Sequence, residues 1–239
     1  MKTKQALVTV GGIGSRLRKK GFEVPLSKAF IPLLKKPMLY WCLKSLESAG
    51  IKKIVIIGDT LGKINAAKKV IKFGKYSFTE ILFYKDPGLG TSGLPYQAKN
   101  LLEKNFFFEY GHSISEREHY IKMDKIKKIG NIVISLFLPN IHSVRPSMKL
   151  ERGKTKKIIL PKFKKGEYFV GAPYLLDHSY IDMLPKCSFT SSKVIYKYSS
   201  QNKLRTIISK LPIEIDEFEE KEESLPILKN YINKIRHKI

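Results

Sequence analysis

Cysteine is scarce in this chain of 239 residues, which contains only Cys42 and Cys187. The two lie far apart, without a CxxC pair or a nearby histidine array, so we expect neither a disulfide framework nor a zinc site. Long apolar runs are also missing. No window approaches 18 continuous apolar residues, so we expect no membrane-spanning helix. The first apolar run is too short for a signal peptide, which predicts a protein of the reduced cytoplasm.

Arginine makes up only seven of the 45 basic residues, although the formal net charge is +24. Such a charge is compatible with a nucleic acid, an acidic membrane surface or a phosphate-rich substrate as the partner. Proteins that bind nucleic acids tend to use arginine for bidentate contacts with bases and phosphates. Here lysines are scattered along the chain, without a recognisable binding motif or interleaved aromatic residues. The composition therefore favours a solvated lysine-rich surface over a nucleic-acid site.

The first half of the chain alternates short apolar segments with amphipathic ones. Apolar runs rich in β-branched residues predict buried strands at Ala6–Val10, Ile54–Ile57 and Ile81–Tyr84. Apolar residues at helical spacing predict helices from Pro37 to Ala49, around Ile64–Ile71, and over Ser92–Lys104. Continuously apolar strands that alternate with helices indicate a mostly parallel sheet covered on both faces.

After about residue 130 the pattern changes to strands with longer, irregular connections. The predicted elements are strands at Asn131–Leu138, Lys156–Leu160, Tyr168–Leu176, Leu204–Ser209 and Ile213–Ile215, and a closing helix at Leu225–Ile239. No Gly/Ser or Pro linker separates the halves, and no internal repeat is visible. We therefore expect one α/β domain over residues 1–239, a Rossmann-like three-layer sandwich with a central, mostly parallel mixed sheet.

A glycine loop, GGIGSRL, follows the first predicted strand. Its glycines, Gly11, Gly12 and Gly14, let the backbone approach a polyphosphate, whose oxygens can accept from exposed N–H groups. Ser15 adds a hydroxyl donor, and Arg16 adds a planar cation suited to phosphate. A turn that binds no ligand is the alternative.

Two commoner glycine loops do not fit. A Walker A loop ends in Gly-Lys-Ser/Thr, whereas Gly14 is followed by Ser15 and Arg16. A dinucleotide fingerprint needs a third glycine where Leu17 stands, and an acidic residue about 20 residues later. Asp59 comes much later than that.

The glycine loop and four later segments closely resemble the opening of nucleoside-diphosphate-sugar pyrophosphorylases. That family reads GGxGTRL, PKALLPV, GKP, AGI and GTAG in this order. The segments here are GGIGSRL at 11–17, PLSKAFIP at 25–32, KP at 36–37, AGI at 49–51 and GTSG at 90–93. Several spaced motifs are far more specific than any one alone.

The resemblance implies a role for each matching residue. Arg16 would hold the β- and γ-phosphates of a nucleoside triphosphate, and Lys28 would neutralise charge that grows on the α-phosphate. Such cations and backbone N–H groups suffice to catalyse the transfer, because phosphoryl-type transfer depends chiefly on positioning and electrostatic stabilisation. For Lys28 the alternative is one more solvated lysine. The nucleotide-binding residues that we expect are Gly11, Gly12, Gly14, Ser15, Gly90, Thr91 and Gly93.

The second half is less similar to the family. LPKF at 160–163 resembles the family's EKP element, with Pro161 in place of the glutamate, and implies that Lys162 binds the acceptor's phosphate. IEID at 213–216 is similar to the late EID element, which phosphocholine cytidylyltransferases also share. Asp216 would then be a magnesium ligand, or alternatively a helix N-cap.

The family's other metal ligand is the aspartate of a GD pair, where this chain has Gly111 and His112. Magnesium prefers oxygen ligands to imidazole. Three explanations stay open: Mg²⁺ held by substrate phosphates, water and Asp216; Mn²⁺ bound with His112; or loss of catalysis. His112 could also be an ordinary loop histidine.

The leading hypothesis is transfer of a nucleotidyl group from a nucleoside triphosphate to a sugar 1-phosphate or a related phosphorylated alcohol, with release of pyrophosphate. A catalytically silent homologue that binds a nucleotide or a partner protein is the alternative, favoured by His112 and Pro161. A glycosyltransferase would usually carry a DxD motif, and none appears. The base, the acceptor and the oligomeric state are left open.

Overall fold

A mixed β-sheet forms the centre of the chain. The computed structural model describes residues 1–12, 14, 18–19, 24–86, 93–137, 147–151, 154–159, 167–184, 191–209, 213–214 and 226. The strands are β1 (Gln5–Thr9), β2 (Pro32–Leu33), β3 (Lys36–Pro37), β4 (Lys53–Gly58), β5 (Glu80–Lys85), β6 (Asn105–Tyr110), β7 (Ser113–Ile114), β8 (Ile132–Phe137), β9 (Ser147–Glu151), β10 (Lys154–Ile159), β11 (Glu167–Asp177), β12 (Leu204–Ser209) and β13 (Ile213–Glu214).

Seven of these strands form the central sheet, in the order β5-β4-β1-β6-β11-β8-β12. Four of the six neighbouring pairs are parallel, whereas β11 runs antiparallel to both β6 and β8. Strands β9 and β10 extend the sheet from the start of β11. The prediction of a mostly parallel mixed sheet is confirmed.

Helices cover both faces of the sheet. They are α1 (Met38–Ser48), α2 (Leu61–Gly74), α3 (Leu94–Gln97), α4 (Arg117–Ile126), α5 (His178–Met183) and α6 (Ser191–Ser200). Side chains of α1, α2 and α4 pack with Ala6 and Val8 of β1 in one core cluster. Those of α3, α5 and α6 pack with Leu7 in the other. Successive residues of β1 thus face opposite buried layers, as in a three-layer sandwich.

The helix predicted over Ser92–Lys104 is wrong in its length, since α3 gives way to a 3₁₀ turn at Lys99–Leu101. The side chain of Gln5 donates to the carbonyl of Leu101 at 2.8 Å and accepts from the N–H of Glu103 at 2.5 Å. These contacts occupy backbone groups that a longer helix would need for its own hydrogen bonds. Tertiary contacts therefore override the local pattern.

Other predicted elements lie close to the observed ones, while α4, α5, α6, β2, β3, β7 and β9 had no counterpart among them. The closing helix at Leu225–Ile239 lies outside the described residues except for Pro226. A single domain over residues 1–239 stays a prediction. None of the helices in the described part combines the length and the apolar character that crossing a membrane requires.

A buried histidine links α4 to the sheet. His119 is 6% exposed, and its Nε2 lies 2.7 Å from Oγ of Ser135. The Ser135 hydroxyl donates its proton to the carbonyl of Pro173 at 2.6 Å. In the contact between His119 and Ser135, Nε2 of the imidazole is therefore the donor and the hydroxyl oxygen the acceptor. Burial, aided by the charge of Lys122, lowers the pKa of His119 to about 4.

We predict that this histidine weakens the fold as the pH falls from about 6.5 towards 4, because the unfolded chain binds a proton there that the folded chain rejects. The full loss is roughly 3 kcal/mol in the free energy of unfolding. Urea unfolding of the wild type and of His119→Gln between about pH 7.5 and 4.5 measures it. Glutamine keeps a donor but does not titrate, so equal pH dependence in the two proteins would contradict the prediction.

Candidate functional site

The carboxyl ends of β1, β4, β5 and β6 lie side by side, because these strands run parallel. Their alignment continues past the strand ends. The N–H of Gly111 donates to the carbonyl of Thr9 at 2.8 Å, and the N–H of Asp86 donates to that of Gly58 at 2.8 Å. In open α/β sheets, ligands bind in the crevice outside this edge. We call it the carboxyl edge.

The glycine loop leaves β1 at the carboxyl edge. Gly12 and Gly14 have φ angles of +84° and +63°, in the left-handed region that favours glycine. A Cβ added to Gly12 would meet no atom of the described residues within 4 Å. The carbonyl of Gly14 accepts from the N–H of Arg18 at 3.0 Å. Ser15 and Arg16 lie outside the described residues.

Two side chains that the sequence analysis did not select hold this loop. Lys63 is 4% exposed, and its Nζ lies 2.7 Å from Oδ1 and 2.8 Å from Oδ2 of Asp59. The same Nζ donates to the carbonyl of Gly12 at 3.2 Å. The only local signal was an i,i+4 acid–lysine pair directly after the second strand.

Lys28 is brought to the carboxyl edge by its neighbour Ala29. Lys28 begins a 3₁₀ turn that ends at Phe30, and Ala29 in this turn is buried. A Cβ added to Gly111 would lie 3.1 Å from Cβ of Ala29 and 3.0 Å from the carbonyl oxygen of Thr9. The turn that carries Lys28 therefore packs directly against the ends of β1 and β6.

His112 follows Gly111, and its ring stacks on that of Tyr110, with centroids 5.5 Å apart and planes inclined by 19°. The next two residues form β7, in which Ser113 pairs with Glu214 of β13. The chain segment just before Asp216 thus lies beside the residues that follow His112. Asp216 itself lies outside the described residues.

The described residues do not by themselves fit a magnesium site. In the part of the chain that the structure describes, no group of three or more His, Cys, Asp or Glu side chains could hold a metal ion. His112 offers an imidazole, which magnesium does not prefer.

The remaining predicted site residues are located only in part. Gly93 precedes α3 as its N-cap residue, at the start of the helix that follows the GTSG segment. Gly90, Thr91 and Lys162 lie outside the described residues. The roles of all the predicted site residues stay predictions.

A buried polar cluster supports β6 beneath the carboxyl edge. Glu109 is fully buried and accepts a hydrogen bond from the hydroxyl of Tyr120 at 2.5 Å. The thiol of Cys42 donates to the carbonyl of Tyr110 at 3.6 Å. Burial, and after it the charge of Glu109, raises the pKa of Cys42 and that of Tyr120. Both groups therefore stay protonated at neutral pH, and Cys42 is a donor and not a nucleophile.

Gly111→Ala should destabilise the protein by about 1–3 kcal/mol, because the added methyl group would press on Thr9 and Ala29. Gly62→Ala is the matched control, since its Cβ would meet only ordinary contacts at 3.9 Å or more on helix α2. The control should be neutral or slightly stabilising. Urea unfolding compares the two variants, and equal stabilities would show that the close packing at Gly111 is absent.

Comparisons with known proteins give one short sequence match. No protein-family profile matches the chain. A curated relative, the glucose-1-phosphate thymidylyltransferase of Streptomyces griseus, is 38% identical over 64 residues. The match covers 26% of this chain and only 18% of that relative.

Solved structures match over nearly the whole chain. A protein assigned as a glucose-1-phosphate thymidylyltransferase from Bacillus anthracis, in complex with sucrose, has a TM-score of 0.75 at 18% identity, covering 93% of this chain and 94% of its own. The inositol-1-phosphate CTP transferase from T. maritima has a TM-score of 0.74 at 16% identity, and the match covers 92% of each chain. HddC from Yersinia pseudotuberculosis, complexed with GMP-PN, has a TM-score of 0.74 at 18% identity. This match covers 95% of the present chain and 100% of HddC. The chain therefore has the fold of these three structures, and the resemblance indicated by its motifs is confirmed at the level of the fold.

Proposed function

We propose that the chain transfers a nucleotidyl group from a nucleoside triphosphate to a sugar 1-phosphate or a related phosphorylated alcohol, and releases pyrophosphate. One observation carries the proposal. The start of the glycine loop, the turn with Lys28 and the end of β6 meet at the carboxyl edge of this fold. The names of two structural neighbours support the acceptor class, since glucose 1-phosphate and inositol 1-phosphate are both phosphorylated hydroxyl compounds.

The proposed reaction is a displacement at the α-phosphorus. A phosphate oxygen of the acceptor forms a new bond to this phosphorus, and the bond to the bridging oxygen of the β-phosphate breaks. Pyrophosphate leaves with that electron pair. A phosphate monoester is already anionic at neutral pH, so the nucleophile needs no general base.

The residues at the carboxyl edge would bind the substrates in position and stabilise the negative charge of their phosphates. Backbone N–H groups of the glycine loop would bind phosphate oxygens, and Arg16 would hold the β- and γ-phosphates. Lys28 would offset the charge that develops at the α-phosphate. Lys162 would bind the acceptor's phosphate, while the GTSG segment would contact the base and the ribose. Mg²⁺ or Mn²⁺ as cofactor and the cytoplasm as location also stay predictions.

The alternative function is that of a catalytically silent homologue, which binds a nucleotide or a partner protein. Two departures from the family pattern favour it, His112 in the position of a carboxylate and Pro161 in the position of a glutamate. Turnover and binding must therefore be measured separately.

For turnover, we predict pyrophosphate release when the protein is given its triphosphate and acceptor. The assay pairs each nucleoside triphosphate with sugar 1-phosphates and inositol 1-phosphate, first with Mg²⁺ and then with Mn²⁺. Lys28→Ala should lower kcat about 100-fold or more, since a charge-stabilising group would be lost. Lys69→Ala, an exposed lysine of α2, should have no effect. Absence of release with every pair would favour the silent homologue.

For binding, we predict that one triphosphate raises the melting temperature. A ligand at a hundredfold excess over its Kd stabilises the folded state by about 2.7 kcal/mol. In a chain of this size that corresponds to a shift of roughly 5–10 °C. Arg16→Ala should remove the shift while leaving the ligand-free melting temperature unchanged. A shift that persists in this variant would place the nucleotide elsewhere.

A further inference from the structure

We propose that Asp59 and Lys63 are positioning residues that hold the glycine loop in the backbone conformation that receives the triphosphate. The two form what we call the loop clamp. The inference rests on the proposed function for the identity of the ligand. The clamp itself is a property of the protein alone, seen in the contacts of Lys63 with Asp59 and with Gly12.

The Lys63 ammonium group is buried and needs partners within the protein. Lysine is almost never fully buried unless it is paired, and Lys63 is 4% exposed. Its Nζ donates to Oδ2 of Asp59 at 2.8 Å and to the carbonyl of Gly12 at 3.2 Å, and it forms an ion pair with Oδ1 of Asp59 at 2.7 Å. These contacts join Lys63 both to Asp59 and to the backbone of the loop.

The contact with Gly12 lies where the loop takes an unusual backbone conformation. Gly12 has a φ angle of +84°, in the left-handed region that favours glycine. Nζ of Lys63 donates to the carbonyl of this residue at 3.2 Å. The contact therefore restrains the backbone of the loop at Gly12.

Ordering the glycine loop costs conformational entropy. Gly12 and Gly14 have no side chains with which to anchor the backbone, and glycine loses more freedom on ordering than any other residue. A loop ordered before binding spares the ligand that cost. Asp59 adds a second restraint, since its Cγ lies 3.8 Å from the position of a Cβ on Gly11.

Both residues of the loop clamp are positioned by regular secondary structure, β4 and α2. Asp59 directly follows β4, whose pairing with β1 ends at Thr9 and Ile57. Lys63 lies in the first turn of α2, where its N–H donates to Oγ1 of the N-cap residue Thr60 at 3.3 Å. The end of one strand and the start of one helix thus fix a loop that follows another strand.

The test combines Lys63→Met with the double variant Asp59→Asn/Lys63→Met, which removes the clamp without leaving an isolated carboxylate. Lys69→Met on the exposed side of α2 is the matched control. Hydrogen–deuterium exchange of ligand-free protein is measured for peptides covering the glycine loop and, as a reference, β8. Steady-state kinetics with the triphosphate identified in the pyrophosphate assay give KM and kcat.

Removal of the clamp should speed exchange in the glycine loop but not in β8. It should raise KM for the triphosphate about 10- to 100-fold, the change expected for one hydrogen bond to a charged group, while kcat changes much less. Lys63→Arg should restore KM in part, because it keeps a cationic donor. The control should match the wild type.

Unchanged loop exchange and KM in both clamp variants would overturn the inference. So would faster exchange throughout the sheet, because it would assign the pair to general stability. If the wild type binds no triphosphate, the proposed function is wrong, and Asp59 and Lys63 do not position the loop for this ligand. Loop exchange in the ligand-free variants still decides whether the pair fixes the loop.

Discussion

The parallel pairing of β4, β1 and β6 is the constraint on which the candidate site depends. The pairing aligns Thr9 with both Ile57 and Tyr110, so three strand ends reach the same level. A slip by one residue would exchange the two buried faces of a strand, which the two core clusters prevent. Backbone hydrogen bonds therefore assemble groups that lie far apart in the sequence.

Much of the fold could be predicted from the sequence, because strands such as β4 are apolar runs with clear limits. The missed helix α4 has a different composition, with many charged residues and few apolar ones. Its buried side chains include His119, which local patterns do not identify as a core residue. The 3₁₀ turn at Lys99–Leu101 depends on Gln5, whose distance along the chain hides the interaction from any local pattern.

The candidate site shows the same division between local and distant causes. Short motifs identified the glycine loop and Lys28, since glycine and lysine in such loops have a recognisable chemistry. The sequence pattern relates Asp59 only to a dinucleotide fingerprint, for which it lies too far from the glycine loop. Its contact with Lys63 could be read from the spacing, but the reach of Lys63 to Gly12 spans 51 residues and needs the folded sheet.

The pairing of β7 with β13 has a consequence for the order in which the protein is made. Ser113 and Glu214 are about a hundred residues apart, so this short ladder closes a long loop of chain. During synthesis, domains begin to fold from the N-terminal side at about 5–20 residues per second. The strands that carry the glycine loop can pair seconds before the segment beside His112 emerges from the ribosome. A nascent chain would thus possess the carboxyl ends of β1, β4, β5 and β6 before β13 can pair with β7.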